Sequence, residues 1–241
     1  MPIAPTRDPF GERGLPEISR NALTLEHVAS GVLRHGALLV RGFLSNGQVE
    51  ELRRFLDLGS SRLTHGLDGT DTQASMLDAL IAGYEQTGLL ALAESYIGER
   101  PVGIPERTVV KRNERTRGLP WHQDSSFYRG KCGALNFWTA LTPCGEQCPG
   151  LSVIPRRFET VIDPEQLAVT PSKRMMTVAE RLEKDEGAIS PVLGPGDALI
   201  FDEMTVHRTS ARHWDVPSRD VAITWFLAPS RFPIGFEPIA L

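Results

Sequence analysis

Trp121-His122-Gln123-Asp124, continued by Ser125-Ser126-Phe127-Tyr128, is the stretch on which the fold of this chain turns. Side chains alternate between the two faces of an extended strand, so His122 and Asp124 share a face and can reach one point in space. An imidazole and a carboxylate so placed are two of the three ligands of a facial triad, the arrangement that leaves three positions open on Fe(II). Alone, an His-x-Asp is common, and a surface pair on a hairpin is the plainer reading. Residues further along the chain give it weight.

Gly196-Asp197-Ala198-Leu199-Ile200-Phe201-Asp202 reads as a turn entering a buried strand, with His207 just past its end. Arg219 comes twelve residues after His207 and opens the last strong strand, Asp220 to Ala228. A guanidinium at the mouth of a metal site offers a planar two-pronged grip for a carboxylate. An Fe(II) oxygenase that uses 2-oxoglutarate needs such a grip, because the keto acid chelates the metal at one end and must be held at the other. Singly, His207 passes for a loop histidine and Arg219 for half of a surface ion pair. All four residues, in this order and at strand edges, fit chance poorly.

The rest of the chain sets the frame. Its 241 residues are 41% hydrophobic and 23% charged, with a net charge of -4. That suits a single globular domain of the larger, β-rich kind spanning 1–241. No apolar run approaches the roughly 18 residues of a spanning helix, and Met1-Pro2-Ile3-Ala4-Pro5 lacks the charged-then-apolar pattern of an export signal. The expectation is a cytoplasmic protein with no membrane partner, and the mildly acidic balance argues against nucleic acid. Cys132, Cys144 and Cys148 make an odd count, which points to free thiols. Cys144 and Cys148, flanked by Pro143 and Pro149, read as a turn with incidental thiols rather than a metal site.

Along the chain, residues 1–20 form an irregular arm rich in Pro, Gly and Arg. Thr24 caps a helix with apolar positions Leu25, Val28, Val32 and Leu33, and Gly36 ends it. Ala37 to Phe43 is a buried strand. Ser45 or Asn46 caps a second helix with Val49, Leu52, Phe55 and Leu56 on its stripe and Gly59 at its close. Residues 59–73 read as a loop, and 74–97 as helix split at Gly83 and Gly88. His27 and His35 fall on helix surfaces and His65 in the loop.

Beyond residue 100 the pattern turns to short strands at 108–110, 134–140, 151–154, 198–201 and 221–227. Turns at 118–120, 143–150 and 194–196 separate them, which argues for a sandwich or barrel with helices packed on one side. The uneven segment 163–187 is either an active-site lid or an inert surface insertion.

Over roughly residues 105 to 228 the chain resembles the phytanoyl-CoA dioxygenase-like family of Fe(II)/2-oxoglutarate oxygenases. The matching stretches are Trp121 to Asp124, Leu135-Asn136-Phe137-Trp138-Thr139-Ala140-Leu141, Gly150-Leu151-Ser152-Val153-Ile154-Pro155 and Gly196 to Phe201, with the distal His207 and Arg219. The resemblance implies a mainly β fold with flanking helices, the double-stranded β-helix or cupin-like jelly roll. By position it implies His122, Asp124 and His207 as iron ligands and Arg219 as the clamp on the far carboxylate of 2-oxoglutarate. Thr209 falls where the family has a small hydroxyl residue on that carboxylate. Gln123 and Trp138 match positions that line the cosubstrate pocket, and Lys111 or Arg112 matches a polar residue on the preceding strand. The family has Gly-Ser-His where this chain has Arg156-Arg157-Phe158, and a small residue where it has Arg208.

The implied reaction uses Fe(II), 2-oxoglutarate and O2 to hydroxylate a small molecule, releasing succinate and CO2. Asp124 speaks against halogenation, whose relatives carry a small residue there. Desaturation and ring closure stay open. Two other classes compete: a cupin-type metalloenzyme without 2-oxoglutarate, which Arg219 opposes, and a non-catalytic binding jelly roll, which an intact ligand set opposes. Arg112, Arg115, Arg117, Arg129 and Lys131 favour an anionic substrate if they face the mouth, while interleaved Glu106 and Glu114 allow an ordinary solvated surface. Phe127, Tyr128 and Trp225 are candidates for the pocket wall, with core packing an equal reading of Trp225. His213 is a surface histidine or a substrate contact. Neither the substrate's identity nor the oligomeric state is written in these residues.

Overall fold

In the computed structural model the described residues are 8–11, 14–57, 62–64, 71–104, 108–113, 118–128, 132–145, 148–162, 181–209, 219–236 and 238–241. The glycine-bounded apolar run after Gly36 forms β2 (Ala37–Arg41), and four further strands are β5 (Val109–Asn113), β7 (Leu135–Ala140), β9 (Ala198–Asp202) and β11 (Arg219–Phe226). With β1 (Glu17–Ser19) and β3 (Arg62–Thr64) at its edges they make one sheet, in the order β1-β2-β9-β7-β11-β5-β3. All pairs in it are antiparallel except β1 with β2. Facing it is a smaller sheet, ordered β6-β10-β8, from β6 (Leu119–His122), β8 (Leu151–Arg157) and β10 (Thr205–Thr209). Two short strands, β4 (Val102–Gly103) and β12 (Ile239–Ala240), pair separately.

Alternation along the large sheet sends its apolar side chains to two different cores. Val110, Phe137, Ile200, Ala222 and Phe226 pack outward against helices α1 (Leu25–His35), α2 (Asn46–Asp57), α3 (Asp71–Gln86) and α4 (Leu89–Ile97). Phe137 meets Phe43 at 4.9 Å and Phe226 at 4.6 Å between ring centroids, and buried Tyr84 of α3 joins the cluster. Leu39, Trp138, Leu199, Phe201 and Val221 face inward and meet Leu151 and Val153 of β8. The inner layer between the sheets is where the functional groups lie. Helices on one face and a second sheet on the other are the jelly-roll arrangement expected.

The helix starts obey their capping chemistry. Thr24 Oγ1 accepts from His27 N–H, and Ser45 and Gln48 form a reciprocal box in which each side-chain oxygen accepts from the other's N–H. Gly36 ends α1 at φ 80°, and a Cβ there would lie 2.6 Å from the Arg156 backbone, so only glycine fits.

Several expectations are corrected. The 59–73 loop contains β3, and α3 begins at Asp71. Gly83 does not split the helix; the break falls at Gly88, whose φ is 73°. The N-terminal arm is not wholly irregular, because Glu17–Ser19 pairs with β2 and Asp8 bonds Ser30 and His35. His35 is therefore buried and hydrogen-bonded rather than a surface histidine. His65, Gly59, residues 163–180 and His213 lie outside the described residues. All three cysteines are buried and none is in a disulfide, and burial pushes the Cys132 and Cys144 thiols up to about 12. Among the described residues, no helix is long and apolar enough to cross a membrane.

Candidate active site

His207 is not in a loop past a strand end. It sits in the middle of β10, directly opposite His122 of β6, and their rings lie 4.2 Å apart between centroids. Asp124 lies just past the end of β6, at the turn into α5 (Ser125–Tyr128). Its Oδ1 is 3.6 Å from His122 Nε2 and its Oδ2 is 3.4 Å from His207 Nε2. One ligand atom from each residue falls within 4.8 Å of the others, the single such group of three among the described residues.

The two histidines are oriented in the same way. His122 Nδ1 bonds the Pro120 carbonyl at 2.8 Å and His207 Nδ1 bonds the Thr205 carbonyl at 3.0 Å, each two residues back in its own strand. A carbonyl only accepts, so each Nδ1 carries the proton and each Nε2 presents a lone pair toward Asp124. Burial, with His122 beside it, pulls the His207 imidazole down to about 4 against the opposing pull of Asp124, so it is neutral at neutral pH.

This donor set suits a divalent metal. Neighbouring ligands on one ion, each at about 2.0–2.2 Å, lie roughly 3 Å apart, and the two nitrogen–oxygen separations of 3.6 and 3.4 Å are close to that. Two nitrogens and one carboxylate on one side leave the opposite side open, the preference of non-haem Fe(II).

Arg219 opens β11 and is 3% exposed. Its guanidinium donates to the Pro149 carbonyl at 3.0 Å and lies 5.8 Å from the centre of the Trp138 ring. Burial pulls its pKa below the usual arginine value. A buried guanidinium facing the inner layer is a site for an anion.

A model of the family described as phytanoyl-CoA dioxygenase matches residues 32–215, which include both histidines and the aspartate. The chain belongs to the phytanoyl-CoA dioxygenase family. It is an Fe(II)/2-oxoglutarate-dependent oxygenase, with Fe(II) and 2-oxoglutarate as cofactor and cosubstrate and O2 as oxidant.

Solved structures agree on the fold. EctD from S. alaskensis, in a complex with 2-oxoglutarate and 5-hydroxyectoine, superposes with a TM-score of 0.66 at 17% identity, covering 98% of this chain and 86% of that one. AviO1 from Streptomyces viridochromogenes Tue57 gives 0.59 at 14% identity, covering 88% and 99%. SnoN, a non-haem α-ketoglutarate-dependent epimerase from nogalamycin biosynthesis, gives 0.56 at 20% identity, covering 80% and 79%. No curated protein matches the sequence significantly.

In this family member the choice between Lys111 and Arg112 is resolved by strand pairing. Lys111 stands opposite Val221, on the inner face, whereas Arg112 stands opposite Asp220 on the helix side. There the Arg112 guanidinium grips buried Asp220 at 2.8 and 2.9 Å and reaches Asp57 at 2.7 Å. Arg112 therefore does not face the mouth; Arg115, Arg117, Arg129 and Lys131 lie outside the described residues. Thr209 shares the inner face with His207, and its Oγ1 accepts from Leu119 N–H at 2.9 Å.

Gln123 departs from the expected pocket wall. It lies just past the end of β6, fully buried, and its amide donates to the Met204 carbonyl and accepts from Ile162 N–H, both at 2.7 Å. It braces backbone. The replacement of the family's Gly-Ser-His is explained by partners: Arg157 pairs with buried Asp202 at 2.6 Å, and Phe158 joins Trp121, Ile154 and Val206 behind the small sheet. Trp225 is buried with Ile104, Cys132 and Leu227. The side chains of Phe127 and Tyr128 lie outside the described part.

Two buried residues around the β9–β10 turn escape sequence reasoning. Thr205 supplies the carbonyl that orients His207, and its hydroxyl bonds the Gly36 carbonyl and Asp202. Glu203, 2% exposed, accepts from Gly133 N–H and is pushed up to about 7, chiefly by burial. Neither belongs to a motif with a spacing of its own.

Proposed function

We propose that the chain, residues 1–241 acting as one domain, hydroxylates a small molecule. In this proposal His122, Asp124 and His207 hold Fe(II), and Arg219 grips the far carboxylate of 2-oxoglutarate with Thr209 and Lys111 beside it. One observation carries the proposal: two imidazoles, each with Nδ1 tied to a carbonyl, aim their Nε2 atoms at one buried carboxylate.

Bound there, Fe(II) supplies the activation of O2 that oxidises 2-oxoglutarate to succinate and CO2 and delivers one oxygen atom to the substrate. The chain's own groups do the rest. The Thr205 and Pro120 carbonyls keep both ligand rings in the tautomer that binds metal. Trp138, Leu151, Val153 and Leu199 wall the inner layer with apolar surface and exclude water from it. In that dry setting the Arg219 guanidinium interacts strongly with a carboxylate and fixes which end of the keto acid points at the metal.

The test is mass spectrometry of anaerobically Fe(II)-loaded protein supplied with O2, 2-oxoglutarate, ascorbate and panels of small molecules. Hydroxylation predicts a product heavier by one oxygen, formed in step with succinate. A product of unchanged mass, made with succinate, overturns hydroxylation in favour of epimerisation. Turnover without succinate overturns the 2-oxoglutarate role of Arg219.

A further inference from the structure

Behind the two histidines the small sheet is irregular. His207 stands opposite His122, but Thr209 stands opposite Leu119, so Arg208 alone faces both Pro120 and Trp121. This is a bulge, and Pro120 has no N–H with which to complete the ladder across it. On the other edge of β10 the register with β8 shifts again between Thr205 and His207. The strand that carries the distal histidine therefore has a broken ladder on both sides.

A cluster of side chains spans the bulge on the outer face of that sheet. Trp121 and Arg208 each neighbour a histidine, so they point away from the inner layer. The Arg208 guanidinium lies over the Trp121 ring, 4.6 Å from its centre. Glu183 joins both: its Oε2 accepts from Trp121 Nε1–H at 3.3 Å, and its Oε1 accepts from Arg208 at 3.2 Å. Leu182 packs beside it against the layer of Trp121, Ile154 and Val206. The described end of the 163–187 segment thus sits behind the histidines rather than over the inner layer, and Arg208, unusual for the family, acquires a partner.

We propose that Glu183 is a positioning residue for the metal centre: through Trp121 and Arg208 it pins the bulged β6–β10 pair from behind and so sets how the His122 and His207 imidazoles converge. The inference rests on the reading of those histidines as Fe(II) ligands. Partners one step behind a ligand change metal affinity by about 10–100-fold. Glu183 lies a step further back, so Glu183→Ala is expected to raise the Fe(II) dissociation constant about three- to tenfold.

The experiment is anaerobic Fe(II) titration of the full chain, read together with the visible charge-transfer band of its complex with Fe(II) and 2-oxoglutarate. Glu183→Ala and Arg208→Met each weaken Fe(II) binding and perturb the band. Glu183→Gln, whose amide oxygen still accepts from Trp121, recovers part of both. The Glu183→Ala/Arg208→Met double variant is no worse than the poorer single one, because one clasp is removed once. Affinity and band unchanged in both single variants overturn the proposal, and so does additivity in the double. Arg208→Met keeps its stem over the Trp121 ring and carries the test should Glu183→Ala fail to fold. His122→Ala separates the two levels: iron bound as tightly as in the parent breaks the ligand reading itself. Iron lost in His122→Ala but kept in Glu183→Ala breaks only the clasp.

Discussion

In the large sheet β7 pairs with β9 through five consecutive residues and with β11 through six, with no break in register. In the small sheet β10 meets β6 and β8 through shifted registers on both sides. The first arrangement satisfies its backbone by ladder alone and is backed by helices across a thick apolar layer. The second is tied to neighbouring segments by side chains: Gln123 donates to the Met204 carbonyl, Thr205 to the Gly36 carbonyl and Arg157 to the Asp202 carboxylate. The contrast matches the role proposed for each sheet. Gripping a carboxylate needs a cation on a stiff platform, and Arg219 and Lys111 stand on the regular sheet. Converging three ligands needs side chains aimed off the regular pleat, which bulges permit.

If the division is real, damage to the two sheets should be separable. The largest effect is expected at the irregular sheet: His122→Ala or Asp124→Ala brings Fe(II) binding and succinate formation to background. The melting temperature of the metal-free protein should move little, since both residues leave the apolar core untouched. Calorimetry of the apo form beside metal analysis checks both halves of that statement.

Arg219→Ala sharpens the comparison from the other side. Truncating one partner of a buried charge pair costs about 2–5 kcal/mol, so the KM for 2-oxoglutarate should rise by at least about 30-fold while Fe(II) stays bound. Arg219→Lys should recover only part of this, because an ammonium cannot offer two parallel N–H groups. An Fe(II) affinity that falls together with 2-oxoglutarate binding would break the division of labour.

Phe137→Ala acts on the regular sheet's helix side, and emptying that aromatic cluster is expected to cost about 3–5 kcal/mol of stability. Denaturant titration measures it, and Fe(II) affinity of the folded fraction should be unchanged.

The smallest effect concerns Glu203, at the hairpin that joins the two sheets. Its carboxyl is raised in the fold to about 7, so folding favours the neutral acid. The stability this contributes is complete below the unfolded pKa of about 4.3 and is lost as pH climbs toward and through 7. Glu203→Gln stays neutral, and its unfolding free energy should pull ahead of the parent's between pH 5 and pH 8, by on the order of 1–2 kcal/mol at the upper end. A gap that does not change with pH refutes the assignment.

How much of this was legible beforehand differs residue by residue. Strand alternation names His122 and Asp124 as partners, although Asp124 reaches the site from the turn after β6 and not from the strand, and Thr24 and Gly36 mark their helix by local capping chemistry. These are short-range properties, settled by the dihedral preferences and hydrogen-bonding groups of residues a few positions apart. The same alternation could not say whether Lys111 or Arg112 faces inward, since a strand has two equivalent faces until something covers one. Asp220, more than a hundred residues away, decided it by pairing with Arg112. Likewise β10 is too short and too irregular to announce itself, so His207 read as a loop residue until β6 and β8 flanked it. Gln123 and Glu183 had no local signature at all, because their roles consist of bonds to segments distant in the chain. The amino-acid order alone determined which groups could serve a metal; only long-range packing decided which way each of them points.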